Sequence, residues 1–199
     1  MPRLESNLII KRCPHCNVDN PNLTEATRFS TQSFNGSNQR IWVTYSCQRC
    51  GGVTTAWARQ YNHEIHQMFP NAISLDSSIP DRAKAYLDQA IYSLHAPAGS
   101  IMLSASSVDA MLKEKGYKDG SLYNRINKAV EDHLITNEMA EWAHEVRLDA
   151  NYQRHADESV GLPTEKEAQI TIDFTLALAQ FLFVMPSRVQ QGIEKAKVE

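Results

Sequence analysis

Two Cys-x-x-Cys knuckles, Cys13-Pro14-His15-Cys16 and Cys47-Gln48-Arg49-Cys50, hold all four cysteines of a 199-residue chain, with 30 residues between them. Matched pairs of this kind have the ligand spacing of a four-thiolate zinc site, because a tight turn after the first Cys of each pair aims both sulfurs at one metal. Pro14 and Gly51-Gly52 supply the turn chemistry. A disulfide framework fits less well, since such scaffolds are short and cysteine-dense. Four thiolates leave no coordination position open, so the expected Zn is structural and holds the fold instead of doing chemistry.

The segments around the second knuckle alternate bulky and polar residues. Arg40 to Ser46 and Val53 to Tyr61 read as strands, with the knuckle as their hairpin turn. Thr27 to Phe34 reads as a third strand, joined to the next through Phe34-Asn35-Gly36-Ser37-Asn38. Residues 1–61 are thus expected to form a zinc ribbon too small for an ordinary core and stabilised by its metal. Trp42, Tyr45 and Trp57 are expected to be that ribbon's miniature core. The competing reading makes them, with Arg40, Arg49 and Arg59, a surface that grips DNA.

Residues 62–79, with Pro70, Asn71 and Ser77-Ser78, read as an irregular linker. Beyond it the apolar period becomes helical. Pro80 and Pro97 each open a helix, and Gly116 can stop the second. Leu122, Ile126 and Val130 mark a third helix. Thr136 starts a fourth, with Met139, Trp142 and Val146 on its apolar side. Thr164-Glu165-Lys166-Glu167 is a capping box before a helix carrying Ile170, Phe174, Leu178 and Phe181. The fold class is therefore α+β: a small N-terminal β zinc ribbon followed, over residues 80–199, by an all-α bundle of about five helices.

A net charge of −3 and a pI near 6.2 argue against a protein that coats nucleic acid by bulk charge, though a local basic site is compatible with them. The longest apolar run, Phe174 to Met185, is interrupted by Thr175 and Gln180 and falls short of the ~20 residues that span a bilayer. No membrane partner is expected. Reduced thiols and the lack of a targeting segment make the cytoplasm the expected compartment.

One chemical constellation stands out. Arg147, Asn151 and His155 lie at i, i+4 and i+8 on the fourth helix, drifting only ~40° per step, so they form a stripe flanked by His144 and Arg154. A guanidinium, an amide and an imidazole in a row can bind a phosphate, orient it and move a proton near neutral pH. Polar residues at helical spacing are, equally, the ordinary signature of a solvated face. Other chemistries lack their residues. There is no Gly-rich phosphate loop, His63-Glu64-Ile65-His66 has the wrong spacing for a zincin, and Ser104, Ser106 and Ser107 have no base at readable distance.

From Ile79-Pro80, through Leu122-Tyr123-Asn124-Arg125-Ile126, to Arg147-x-x-x-Asn151-x-x-x-His155, the chain resembles domain-of-unknown-function family 4145, whose helical domain is grouped with the HEPN superfamily of RNases and nucleotide-handling proteins. The resemblance implies a HEPN-like helical domain behind a zinc ribbon, a homodimer, and roles in bacterial phage defence or as toxins. It also implies RNA or DNA, or a partner defence or restriction protein, as binding partners. In a HEPN-type endoribonuclease, which is metal-independent, His155 would serve as acid or base, Arg147 or Arg154 would stabilise the phosphorane charge, and Asn151 would position the phosphate. Two departures bear on this. Ala150 occupies the slot where the catalytic pattern carries Arg, and Ala105-Ser106-Ser107-Val108-Asp109 keeps only the acidic end of the family's Arg-x-x-Leu-Glu. The expectation is accordingly a non-catalytic or weakly active adaptor that binds nucleic acid or a partner protein; the alternative is the metal-independent RNase.

Overall fold

A computed structural model describes residues 2–70 and 75–197 and divides the chain into two compact units, Met1–Ser74 and Leu75–Glu199. The first is built on an antiparallel sheet of four strands in the order β1-β2-β3-β4: β1 Leu23–Thr31, β2 Arg40–Cys47, β3 Val53–Ala58 and β4 Gln67–Phe69. The fourth strand lies inside the stretch expected to be an irregular linker. It pairs Thr55 with Phe69 and Trp57 with Gln67. Residues 71–74 of that stretch lie outside the described residues.

Strand alternation sends successive side chains to opposite faces. Val43, Tyr45, Ala56 and Ala58 point to one face, where Leu4, Leu8 and Leu23 close over them beside Cys13 and Cys47. The Tyr45 hydroxyl donates to the Glu5 carbonyl at 2.8 Å, which satisfies it in this apolar setting. Trp42 and Trp57 pair directly across β2 and β3 on the opposite face. The expectation that all three aromatics form the miniature core thus holds for Tyr45 alone. The pleat gives a strand two faces, and here each face carries bulky residues.

In the second unit the helices are α1 Asp81–Tyr92, α2 Pro97–Glu114, α3 Leu122–Glu131, α4 Asn137–His155 and α5 Glu165–Ala179. Local chemistry sets their starts. Ser121, Thr136 and Thr164 each accept a backbone N–H three residues on, and Thr164 with Glu167 completes the capping box. Pro80 is the N-cap of α1, whereas Pro97 takes the first turn of α2. Helix α2 ends just before Gly116, whose φ of +102° suits a residue without a Cβ.

Small residues let α1 and α2 approach closely. The buried hydroxyls of Ser100 and Ser107 donate to the carbonyls of Ala90 and Ala83 at 2.8 Å, which explains serines in a core without a hydrolytic role. Ile101, Val108 and Met111 of α2 form one cluster with Ile126, Val146, Phe174 and Leu178. Phe174 also meets the Trp142 ring at 4.9 Å, joining α5 to α4.

Helix α5 does not stop at Ala179. It passes through a π-helical turn, Gln180–Val184, into α6 Met185–Ala196. By length and composition this run, Glu165–Ala196, could cross a membrane, yet half of its most apolar window is buried in the protein, as in a core helix. Among the described residues of α6 none is buried. Met185, Val189 and Ile193 recur every fourth residue along it, each about half exposed, and continue from an exposed Phe181. Within Phe174 to Met185 the chain buries Phe174, Leu178 and Leu182 and exposes Phe181 and Met185, where the apolar stripe begins.

Candidate functional site

The two knuckles fold by the same local rule. In the first, the Asn17 N–H donates to the Cys13 carbonyl at 3.0 Å and the Cys13 N–H to the Val18 carbonyl at 3.1 Å. In the second, Gly51 donates to Cys47 at 2.8 Å and Cys47 to Gly52 at 2.9 Å. Asn17 and Gly51 stand at the same step of each turn and both have positive φ, a conformation that Asn and Gly tolerate best. All four cysteines are free thiols, and their sulfurs lie within 4.8 Å of one another, Cys13 and Cys50 at 4.0 Å. The set is suited to hold one metal ion.

Without a metal Cys13, Cys47 and Cys50 are electrostatically unequal. Burial pushes the Cys13 pKa up to about 12. Burial also opposes ionisation of Cys47, but the backbone N–H groups of Cys50 and Arg49, together with neighbouring thiols, outweigh it and bring that pKa down to about 7. Burial raises Cys50 as well. The His15 Nε2 donates to the Val53 carbonyl at 2.8 Å and ties the first knuckle to β3. A Cβ on Gly52 would sit 2.5 Å from the His15 ring, so only glycine lets the second knuckle close against the first.

In the helical unit a cleft of about 1120 Å³ opens between the start of α1, the outer face of α2, α3 and α4, with Phe183 from the π turn on its wall. Six cationic side chains line it: Arg82, Lys113, Lys118, Arg125, Arg147 and Arg154. Against them stand Asp81, Asp109 and Glu114. Asp109 is engaged by Arg125 at 2.6 Å and by Lys113, and Arg125 also donates to the Lys118 carbonyl at 3.1 Å. That leaves Arg82, Lys118, Arg147 and Arg154 facing only Asp81 and Glu114, in a chain whose net charge is −3.

Arg147 is held from behind. Its guanidinium lies over the Tyr123 ring, 5.3 Å from the centroid, while its buried Nε has no hydrogen-bond partner among the described residues. The other side of this support is His144, whose ring meets Tyr123 at 4.8 Å and whose Nε2 donates to Asn127 Oδ1 at 3.0 Å. Burial, and then the Arg147 charge, lower the His144 pKa, which favours its neutral ring. Arg147, Asn151 and Arg154 all line the cleft. His155 is exposed at the last residue of α4 and is not among the lining residues. Helix geometry explains the split: at ~100° per residue, Arg154 at i+7 returns to within ~20° of Arg147, whereas His155 at i+8 has swung ~80° past it.

Reasoning from sequence found the arginines of α4 but missed Arg82, Lys113, Lys118 and Arg125, which reach the cleft from other elements. Leu122-Tyr123-Asn124-Arg125-Ile126 was visible as a motif, without a sign that its Tyr123 would support Arg147.

No curated protein and no solved structure is significantly similar to the chain. A family profile described as Domain of unknown function (DUF4145) matches residues 83–196, from α1 through the cleft to the end of α6. With more than half of its length matched, the chain belongs to this family of unknown function.

Proposed function

We propose that the protein is a zinc-dependent adaptor whose HEPN-like helical cleft binds the phosphate backbone of a nucleic acid without cutting it. The observation that carries this reading is the surplus of unneutralised arginine and lysine in the cleft of an acidic protein, with Arg147 pre-positioned on Tyr123 and its buried Nε free for an acceptor. Arginine placed in this way suits bidentate phosphate contacts. Asn151 adds an amide beside it. The exposed His155, turned off the cleft's cationic line, and Ala150 in place of arginine support a binding role over cleavage.

The four thiolates would hold zinc. Tetrahedral Zn–S bonds of ~2.3 Å give sulfur–sulfur edges of roughly 3.8 Å, close to the observed 4.0 Å between Cys13 and Cys50. Zinc bound there stabilises the ribbon and leaves no open position for substrate.

The binding reading is tested by titrating labelled RNA and DNA across a range of salt. Each lost phosphate contact reduces the log–log salt slope by ~0.7–0.9. Arg147→Ala with Arg154→Ala should therefore flatten the slope by roughly 1.4–1.8 units and weaken all sequences alike. Unchanged binding would remove the cleft from the reading. Metal-independent cleavage of RNA by the wild type, lost in His155→Ala, would replace the adaptor with a nuclease.

The apolar stripe Phe181, Met185, Val189 and Ile193 also supports a homodimer through α6, since among the described residues of that helix no side chain is buried and the stripe is left facing water. Sedimentation velocity at micromolar concentration should give a dimer, and Val189→Glu with Ile193→Glu a monomer of 22.5 kDa. A wild-type monomer would exclude this association.

A further inference from the structure

The sheet of the N-terminal unit covers only one of its faces with core. On the other, each strand contributes one aromatic ring: Phe29 from β1, Trp42 from β2, Trp57 from β3 and Phe69 from β4. Phe29, Trp42 and Trp57 lie opposite one another in the ladder, and Phe69 opposite Thr55. Trp42 is the hub. Its ring centroid is 6.3 Å from Phe29, 6.0 Å from Trp57 and 6.4 Å from Phe69. Phe29 is nearly parallel to it, with 8° between the planes. Phe29 and Phe69 are 47% and 45% exposed, so large apolar rings meet solvent across the whole width of the sheet. Such a contiguous patch marks a binding surface more often than an accident of packing.

Charge and polarity on this face select the partner. Arg40 lies over the Trp57 ring, 4.7 Å from its centroid, and His66 stacks on the same ring at 4.8 Å. The one carboxylate in the four strands, Glu25, pairs across from Tyr45 on the opposite face, where it is bonded to Arg28 and Tyr61. The Trp42 Nε1 donates to Thr31 Oγ1 at 2.9 Å, so the indole's polar atom is satisfied internally and the ring is left for stacking. Aromatic rings beside a cation, with no carboxylate among them, match flat bases on an anionic backbone. The ring spacing is nearly twice the ~3.4 Å step of stacked nucleotides. A strand laid here would have its bases separated from each other, each resting on protein, as only a single strand allows.

We infer that the sheet face bearing Phe29, Trp42, Phe69 and Arg40 is a stacking platform for single-stranded nucleic acid. The inference does not rest on the cleft of the helical unit, and its test separates the two. The chain has three tryptophans, and Trp142→Phe leaves only Trp42 and Trp57 as reporters. Titration of this full-length variant with 20-nucleotide oligothymidylate and oligouridylate should quench the emission, and the two arms tell DNA from RNA. A duplex of equal length should bind at least about tenfold more weakly. Phe29→Ala and Phe69→Ala, both at exposed positions, should each weaken single-strand binding about tenfold while zinc content stays at one per chain. Arg40→Gln should lower the salt slope by ~0.7. Arg147→Ala with Arg154→Ala should leave the quench intact. Absence of quenching by either oligonucleotide, or ring variants that bind as tightly as the parent, would overturn the inference. So would ring variants that abolish self-association with no change in strand binding, which would assign the face to a second copy of the chain.

Discussion

With zinc in the proposed site at Cys13, Cys16, Cys47 and Cys50, stripping it with a strong chelator should unfold the N-terminal unit and leave the helices standing. Structural zinc contributes an apparent ~10–16 kcal/mol in small thiolate domains near pH 7. A whole domain is commonly stable by only ~5–15 kcal/mol. The apolar core of this unit is small, with Leu4, Leu8, Leu23, Val43 and Tyr45 its bulky members, and two of the cysteines are themselves part of it. Removal of the ion takes away the bonds that would join the two knuckles across this core. Tryptophan emission from Trp42 and Trp57 should shift to that of solvated indole, while the far-ultraviolet helical signal of α1 to α6 persists. Cys16→Ser should behave the same way without a chelator. Retention of the native emission after metal removal, verified by elemental analysis, would show that the sheet does not depend on zinc.

Phe174→Ala should produce the complementary result. Phe174 is 1% exposed, meets Trp142, and lies in the cluster formed around α2. Replacing a buried Phe by Ala costs about 3–5 kcal/mol, because the lost transfer energy is joined by that of the cavity left behind. In a unit of this size the helical melting temperature should fall by at least ~10 °C. The ribbon's response to chelation should be unchanged. A loss below ~1 kcal/mol would mean that Trp142 and its neighbours collapse into the space, which close packing opposes.

What was legible in the sequence was local. The knuckles declare themselves because four sulfurs and the residues that turn the chain around them fall within a few positions of one another. Helix starts at Thr136 and Thr164 were readable for the same reason: the cap and the N–H it satisfies are three residues apart. Strand β4 escaped because three residues between His66 and Pro70 carry no periodicity to detect. Trp42, Tyr45 and Trp57 were readable as bulky strand residues, but pattern alone cannot say which face is inside when both are bulky. The cleft was the least legible part, since its cations come from four helices and the loop between α2 and α3, and only tertiary packing assembles them. Even along α4 the eye follows i, i+4, i+8 to His155, while the helix itself brings round i+7, Arg154.

The π-helical turn Gln180–Val184 has a consequence for the helix that follows it. A turn that holds one residue more than an α-helical turn acts as a phase shifter, and every side chain after it is carried about 100° round the axis relative to an unbroken helix. Before the turn the apolar side faces the core through Phe174 and Leu178, and within the turn through Leu182 and Val184; after it the apolar side faces outward through Met185, Val189 and Ile193. The direction in which α6 presents itself is therefore set by a residue count and not by the composition of α6. Loss of a single residue between Gln180 and Val184 would re-aim the whole stripe with its sequence untouched.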